Sequence, residues 1–278
     1  MTAPILRYPG AKWKIARWIA GQFPDHQVYL DPYFGSGAVF FHKKPSRVET
    51  INDIDGNIIN LFRILRERLR DLVEIIKLTP WARDEFLQYI GPCGVLIKSG
   101  DPLEDARRFL VRCWQANGTR TSDRSGWRHD VQGHQGKNCA RVWKEVPERI
   151  MAVADRLRDA QIENQPALQL IERYRYPQVL IYADPPYVLS TRKGRMYAYE
   201  MTDQDHIELL DHLNQHPGPV FLSGYDCDLY NDRLRHWMRK TIVTTAEKGQ
   251  SRQEVLWINP VAAMTVNQNV PLFSGERG

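Results

Sequence analysis

Val179-Leu180-Ile181-Tyr182-Ala183, followed directly by Asp184-Pro185-Pro186-Tyr187, is the stretch that decides the fold. Five apolar residues in a row suit a strand buried on both faces, and two prolines end it, because each fixes φ and removes a backbone donor. The carboxyl end of such a strand is where α/β proteins place ligands. The stiff exit offers the Asp184 carboxylate and the Pro185 carbonyl as acceptors, with the Tyr187 ring close behind. Two acceptors beside a flat ring suit a planar amino group, such as the exocyclic amine of a nucleobase. Taken alone, the tetrapeptide also reads as a proline-punctuated turn with a capping aspartate.

Outward from it, Val28-Tyr29-Leu30 and Val220-Phe221-Leu222 are two more short apolar runs, which predict a parallel sheet covered on both faces. Apolar residues from Ile58 to Ile76 recur at helical spacing and predict one helix over Asn57 to Lys77. Thr202-Asp203-Gln204-Asp205 predicts a capped helix start, and Thr241 to Thr245 with Glu254 to Ile258 an antiparallel hairpin. The expected fold is α/β: a Rossmann-like domain with a mixed, mostly parallel sheet and a C-terminal antiparallel hairpin. Residues 79–141, rich in Arg, Trp, Gly and Ser, are expected as an inserted, mainly helical region between catalytic segments 1–78 and 142–260. Residues 261–278 read as a polar tail.

A chain of 278 residues with 42% hydrophobic and 26% charged residues has the composition of an ordinary globular protein. Met1-Thr2-Ala3-Pro4 does not resemble a secretion signal and no apolar run approaches the roughly 20 residues that span a bilayer, so a cytoplasmic protein, taken as a monomer, is expected. The four cysteines form no C-x-x-C pair, and Cys113, His129, His134 and Cys139 match no zinc-finger spacing, so no metal is expected. Net charge is +5, and between Arg107 and Arg141 eight basic residues face two acidic ones. Such a patch suits a polyanion: Arg120, Arg124, Arg128, Lys137 and Arg141, with Trp127 interleaved, are candidates for gripping phosphates and reading base edges. A second basic loop, Arg192-Lys193-Gly194-Arg195, follows the tetrapeptide; the bland reading of both is a solvated charged face.

Asp31-Pro32-Tyr33-Phe34-Gly35-Ser36-Gly37 places a glycine turn between a strand and a plausible helix start, where a ligand can approach the backbone. About twenty residues on, Asp53 is spaced to accept from ribose hydroxyls. Tyr8-Pro9-Gly10-Ala11-Lys12 joins a ring, a turn and a cation, but is no Walker loop.

In this order the pieces resemble the alpha-group, Dam-like DNA adenine methyltransferases, especially their small bacterial and phage members. The likeness continues into Tyr199-Glu200-Met201-Thr202 with His206, Ser223-Gly224-Tyr225, and Glu254 to Asn259. It covers most of the chain, but over residues 80–140 it is one of position and charge only. The resemblance implies methyl transfer from S-adenosylmethionine to the adenine 6-amino group. It implies that Tyr8, Pro9, Gly10, Lys12, Asp31, Phe34, Gly35, Gly37, Asp53, Ile54 and Asp184 hold the cofactor, and that Asp184, Pro185, Pro186 and Tyr187 form the acceptor site. Tyr8 and Ala11 stand where the family often has tryptophan and glycine.

Hydrogen bonds from the amine to Asp184 and the Pro185 carbonyl would favour a pyramidal, nucleophilic nitrogen. Duplex DNA hides that amine, so the base must be flipped out, with Tyr187 expected to stack on it. Rival readings are methylation of cytosine-N4 or an RNA base, or a DNA-binding relative without activity.

Overall fold

The computed structural model describes residues 4–91, 94–131, 138–192, 194–245 and 251–268. Seven strands form one sheet among them: β1 (Val28–Asp31), β2 (Val48–Asn52), β3 (Ala160–Glu163), β4 (Val179–Ala183), β5 (Val220–Gly224), β6 (Met238–Thr245) and β7 (Ser251–Ile258), in the order β3-β2-β1-β4-β5-β7-β6. β7 alone runs against its neighbours, lying between β5 and β6, and the remaining pairs are parallel. The chain builds β1, β2 and β3 to one side, then returns to start β4 on the other side of β1. The carboxyl ends of β1 and β4 therefore flank the crevice of a doubly wound sheet.

Side chains alternate across each strand, which is how apolar runs feed two cores. Tyr29, Ile51, Leu180, Tyr182, Phe221, Leu256 and Ile258 join one buried cluster, and Leu30, Val179, Ile181, Ala183, Leu222 and Trp257 join the other. The first cluster takes in α1 (Ala16–Ala20), α2 (Ala38–His42), α3 (Gly56–Glu67), α4 (Leu69–Leu78), α5 (Arg83–Leu87), α6 (Pro102–Gln115), α7 (Cys139–Lys144) and α8 (Val146–Leu157). The second is covered by α9 (Ala167–Arg173), α10 (Asp203–Asn214) and α11 (Asp228–Arg233).

The helix expected over Asn57 to Lys77 is two helices, because Arg68 leaves the helical region with φ −136° and ψ 40°. Thr202 caps α10 as its sequence predicts: its side chain accepts from Asp205 N–H, and the Asp205 carboxylate accepts from Thr202 N–H. β2 and β3 were not anticipated as strands. The expected tail starts as a helix, α12 (Pro260–Gln268), whose Ala262 is fully buried. Buried Asn259 anchors it, accepting from Val220 N–H and Ala262 N–H and donating to the Gly218 carbonyl.

Segment 79–141 shares a core with this layer. Its α6 buries Leu103, Ala106, Phe109, Leu110, Val111 and Trp114 in the same cluster as α3 and α4. At about 1.5–3 kcal/mol for each large apolar side chain buried, α6 cannot detach without uncovering the sheet's helices.

Candidate active site

A cavity of about 390 Å³ opens at the carboxyl ends of β1 and β4. It is lined from four directions: Tyr8 to Lys12 before α1, Asp31 to Ser36 after β1, Asn52 to Ile54 after β2, and Asp184 and Pro186 after β4. Ten of the eleven residues expected to hold the cofactor line it: Tyr8, Pro9, Gly10, Lys12, Asp31, Phe34, Gly35, Asp53, Ile54 and Asp184. Gly37 does not. It precedes α2 with φ 68°, and a Cβ there would stand 2.5 Å from the Phe34 ring and 2.8 Å from Phe41. Its role is to let that aromatic cluster close under the glycine turn.

Lys12 and Asp184 form the reactive end. The Lys12 ammonium is 3.0 Å from Asp184 Oδ1, donates to the Gly10 carbonyl at 2.8 Å, and lies over the Tyr187 ring at 4.6 Å. Burial alone would lower its pKa, but Asp184 and Glu254 outweigh that and hold it above the usual lysine range. Burial pushes the Asp184 carboxyl up, and Lys12 pulls it back. The cation thus favours an ionised, acceptor-only carboxylate at the end of β4.

Tyr187, the ring expected to stack on the flipped base, is held by close neighbours. It is 6% exposed and absent from the cavity lining; its hydroxyl donates to Glu254 at 2.7 Å and its ring meets Tyr225 edge-on at 4.5 Å. Pro185 is buried and is likewise absent from the lining. The exposed ring on the cavity wall is Tyr199, at 52%.

The other end presents carboxylates. Asp31 is 2% exposed; Oδ2 accepts from the Tyr29 hydroxyl, while Oδ1 is buried with no hydrogen-bond partner. Burial holds this carboxyl well above the usual range. Asp53 accepts from Gly35 N–H at 2.8 Å and Asp55 N–H at 2.9 Å, and burial raises it to about 7. Ile54, 44% exposed, adds an apolar surface beside it. An orphaned buried acceptor, a second carboxylate and an apolar face fit the ammonium, ribose and base of a nucleoside bearing an amino acid.

The model of the D12 class N6 adenine-specific DNA methyltransferases matches residues 8–250. The chain belongs to that family. It is 24% identical over 251 residues to the DNA adenine methylase of Escherichia coli (strain K12), covering 84% of each protein. It is 23% identical over 248 residues to the DNA adenine methylase of Salmonella typhi, covering 84% of this chain and 82% of that one. Among solved structures, an rRNA methylase from Streptococcus thermophilus overlaps 88% of this chain and 93% of its own at 7% identity and a TM-score of 0.37.

For this D12 class chain the structure redistributes the expected DNA contacts. Arg124, Arg141 and Arg195 are exposed, Arg120 is half-exposed 3.7 Å from Asp123, and Arg128 is partly buried. Trp127 is also half-buried: its indole donates to Gln115 and its ring stacks on His129. Arg192 is no surface contact, since its side chain is 3% exposed, pairs with Glu200 and donates to the Tyr187 carbonyl. Lys137 and Lys193 lie outside the described residues. Of the eight basic residues between Arg107 and Arg141, Arg107 and Arg108 pair with Glu104 just upstream, and Arg112 is buried on the Gly94 and Thr121 carbonyls. Among the described residues no group of His, Cys, Asp and Glu is arranged to hold a metal ion, and no helix is long and apolar enough to cross a membrane.

Lining residues that sequence reasoning missed include Asn52, Leu168 and Tyr197. Asn52 stitches the wall, donating to the Pro32 and Gln165 carbonyls at 3.0 Å. Tyr197 seals it: a Cβ on Gly10 would stand 2.3 Å from its hydroxyl, which is why Gly10 carries no side chain. Glu254 was noticed only within the family-like run; a lone acid opening the apolar run of β7 was its available signal.

Proposed function

We propose that the chain is a site-specific methyltransferase that moves a methyl group from S-adenosylmethionine to the 6-amino group of adenine in duplex DNA, after flipping the base. One observation carries this reading: Asp184, at the exit of β4, lines the same cavity as Asp31 and Asp53, at the exits of β1 and β2. Asp31 Oδ1 would receive the cofactor's ammonium, Asp53 its ribose and Ile54 its base. When bound, the cofactor supplies an activated sulfonium methyl group, so the chain needs no nucleophile of its own.

The chain's part is positioning. Asp184, kept ionised by Lys12, accepts from the adenine amine, and the Pro185 carbonyl is the second acceptor the tetrapeptide offers. Tyr199, at the wall and half-exposed, is the ring best placed to recover part of the flipping cost, at about 1–3 kcal/mol for a base on an aromatic face. Residues 79–141 form the target-recognition region, with Arg120, Arg124, Arg128 and Arg141 toward phosphates, and Arg195 joins from the second loop. Incubating duplex DNA with the protein and cofactor, then digesting to nucleosides, should yield N6-methyladenine. Methylated cytosine alone, or no labelled base, would sink the proposal.

Cofactor binding should depend on pH through Asp53. With its pKa near 7, Asp53 is ionised above neutrality and loses acceptor capacity as pH falls through that value. Affinity for S-adenosylmethionine is expected to weaken several-fold from about pH 8 to pH 6 and to lose most of that dependence in Asp53→Asn. Calorimetric titration across the range checks it, and an unchanged profile in the variant would remove Asp53 as the titrating group.

A further inference from the structure

Hydrogen bonds at Thr121 join the cavity wall to the basic segment. Its N–H donates to the Met196 carbonyl at 2.8 Å, its hydroxyl donates to the same carbonyl at 3.3 Å, and the Thr121 hydroxyl oxygen accepts from Ala198 N–H at 3.0 Å. Thr121 is 8% exposed, and its own carbonyl accepts from buried Arg112 of α6, which also holds the Gly94 carbonyl. On its other side the same loop is held by Glu200, whose carboxylate accepts from Met196 N–H at 2.6 Å and Tyr197 N–H at 3.0 Å while paired with Arg192. Between these two clamps sits Tyr197, its hydroxyl packed against Gly10, whose carbonyl accepts from the Lys12 ammonium. Tyr199, Glu200 and Met201 continue the cavity wall.

We infer that Thr121 is a positioning residue that fixes the cavity-lining loop 196–201 to the DNA-facing segment, so that engagement of DNA at Arg120 and Arg124 is felt at the cofactor cavity. The inference rests on the proposed DNA-methyltransferase reading. Thr121 touches neither substrate nor cofactor in this role; it acts through Tyr197. A partner that orders the segment also steadies the loop bonded to it, and by linkage whatever steadies the loop favours the partner.

The test compares the full-length protein with Thr121→Val, which is nearly isosteric but has no hydroxyl, and Thr121→Ser, which keeps it. Hydrogen exchange of the peptide covering 194–201 and the affinity for S-adenosylhomocysteine are measured with and without duplex DNA. In the parent and in Thr121→Ser, DNA should slow exchange of that peptide and tighten S-adenosylhomocysteine about five- to tenfold. In Thr121→Val, which keeps the N–H bond to Met196 but loses the hydroxyl contacts to Met196 and Ala198, loop exchange should rise several-fold and the DNA effect on affinity should shrink to about twofold or less, while DNA affinity stays within about twofold. A Thr121→Val protein that keeps both the slow exchange and the DNA effect overturns the inference, as does a parent in which DNA changes neither quantity. These readouts need no methyl transfer. A parent that binds DNA but methylates nothing would defeat the proposed function and leave the latch to be judged on its own result.

Discussion

Asp184→Asn is expected to lower kcat about 10³-fold while DNA affinity stays within about twofold of the parent. The amide keeps one oxygen but turns an N–H₂ donor toward the place where the substrate amine must itself donate. Losing one binding contact to a charged group costs about 1.5–3 kcal/mol, roughly ten- to 150-fold, whereas a contact that strengthens as the nitrogen becomes nucleophilic costs more. The size of the loss therefore decides which role Asp184 has. Single-turnover transfer of labelled methyl at saturating DNA measures it, with fluorescence anisotropy for binding. A kcat within about 150-fold of the parent would reduce Asp184 to a binding group.

Lys12→Met should cost about 10²-fold in kcat/KM at neutral pH and displace the acid limb of the rate profile upward. Burial already raises Asp184, and Lys12, 3.0 Å away, is the main group opposing that rise. Without the cation the carboxyl stays protonated to higher pH, and activity returns only above the new pKa. Partial recovery under alkaline conditions distinguishes this account from loss of cofactor affinity alone, which would scale the whole profile without moving it. A limb that stays in place would refute the pairing as the source of the effect.

How far the sequence could be read follows from where each signal lies. Val179 to Ala183 was legible because a central parallel strand is apolar on both faces, and Asp184 was legible because two prolines mark its exit. Ala160 to Glu163 escaped because it is an edge strand, short and half polar, pairing only with β2. The helical period runs on through Arg68, so periodicity could not show the break between α3 and α4. The basic loop misled because charge was counted without its partner: Glu200, eight residues after Arg192, turns a DNA candidate into an internal brace. Tyr187 was identified by its motif, but its surroundings come from Lys12, Tyr225 and Glu254, none of them adjacent in sequence.

The placement of β7 has a consequence for the order in which the protein can be completed. β6 is synthesised before β7 yet pairs only with β7, and β5 keeps a bare edge until β7 arrives. A nascent chain that stops short of residue 251 holds the whole Asp-Pro-Pro-Tyr motif, but neither a seat for β6 nor the carboxylate that receives the Tyr187 hydroxyl. The final strand thus completes sheet and site together: it seats β6 on the open edge of β5 and brings Glu254 to the Tyr187 hydroxyl.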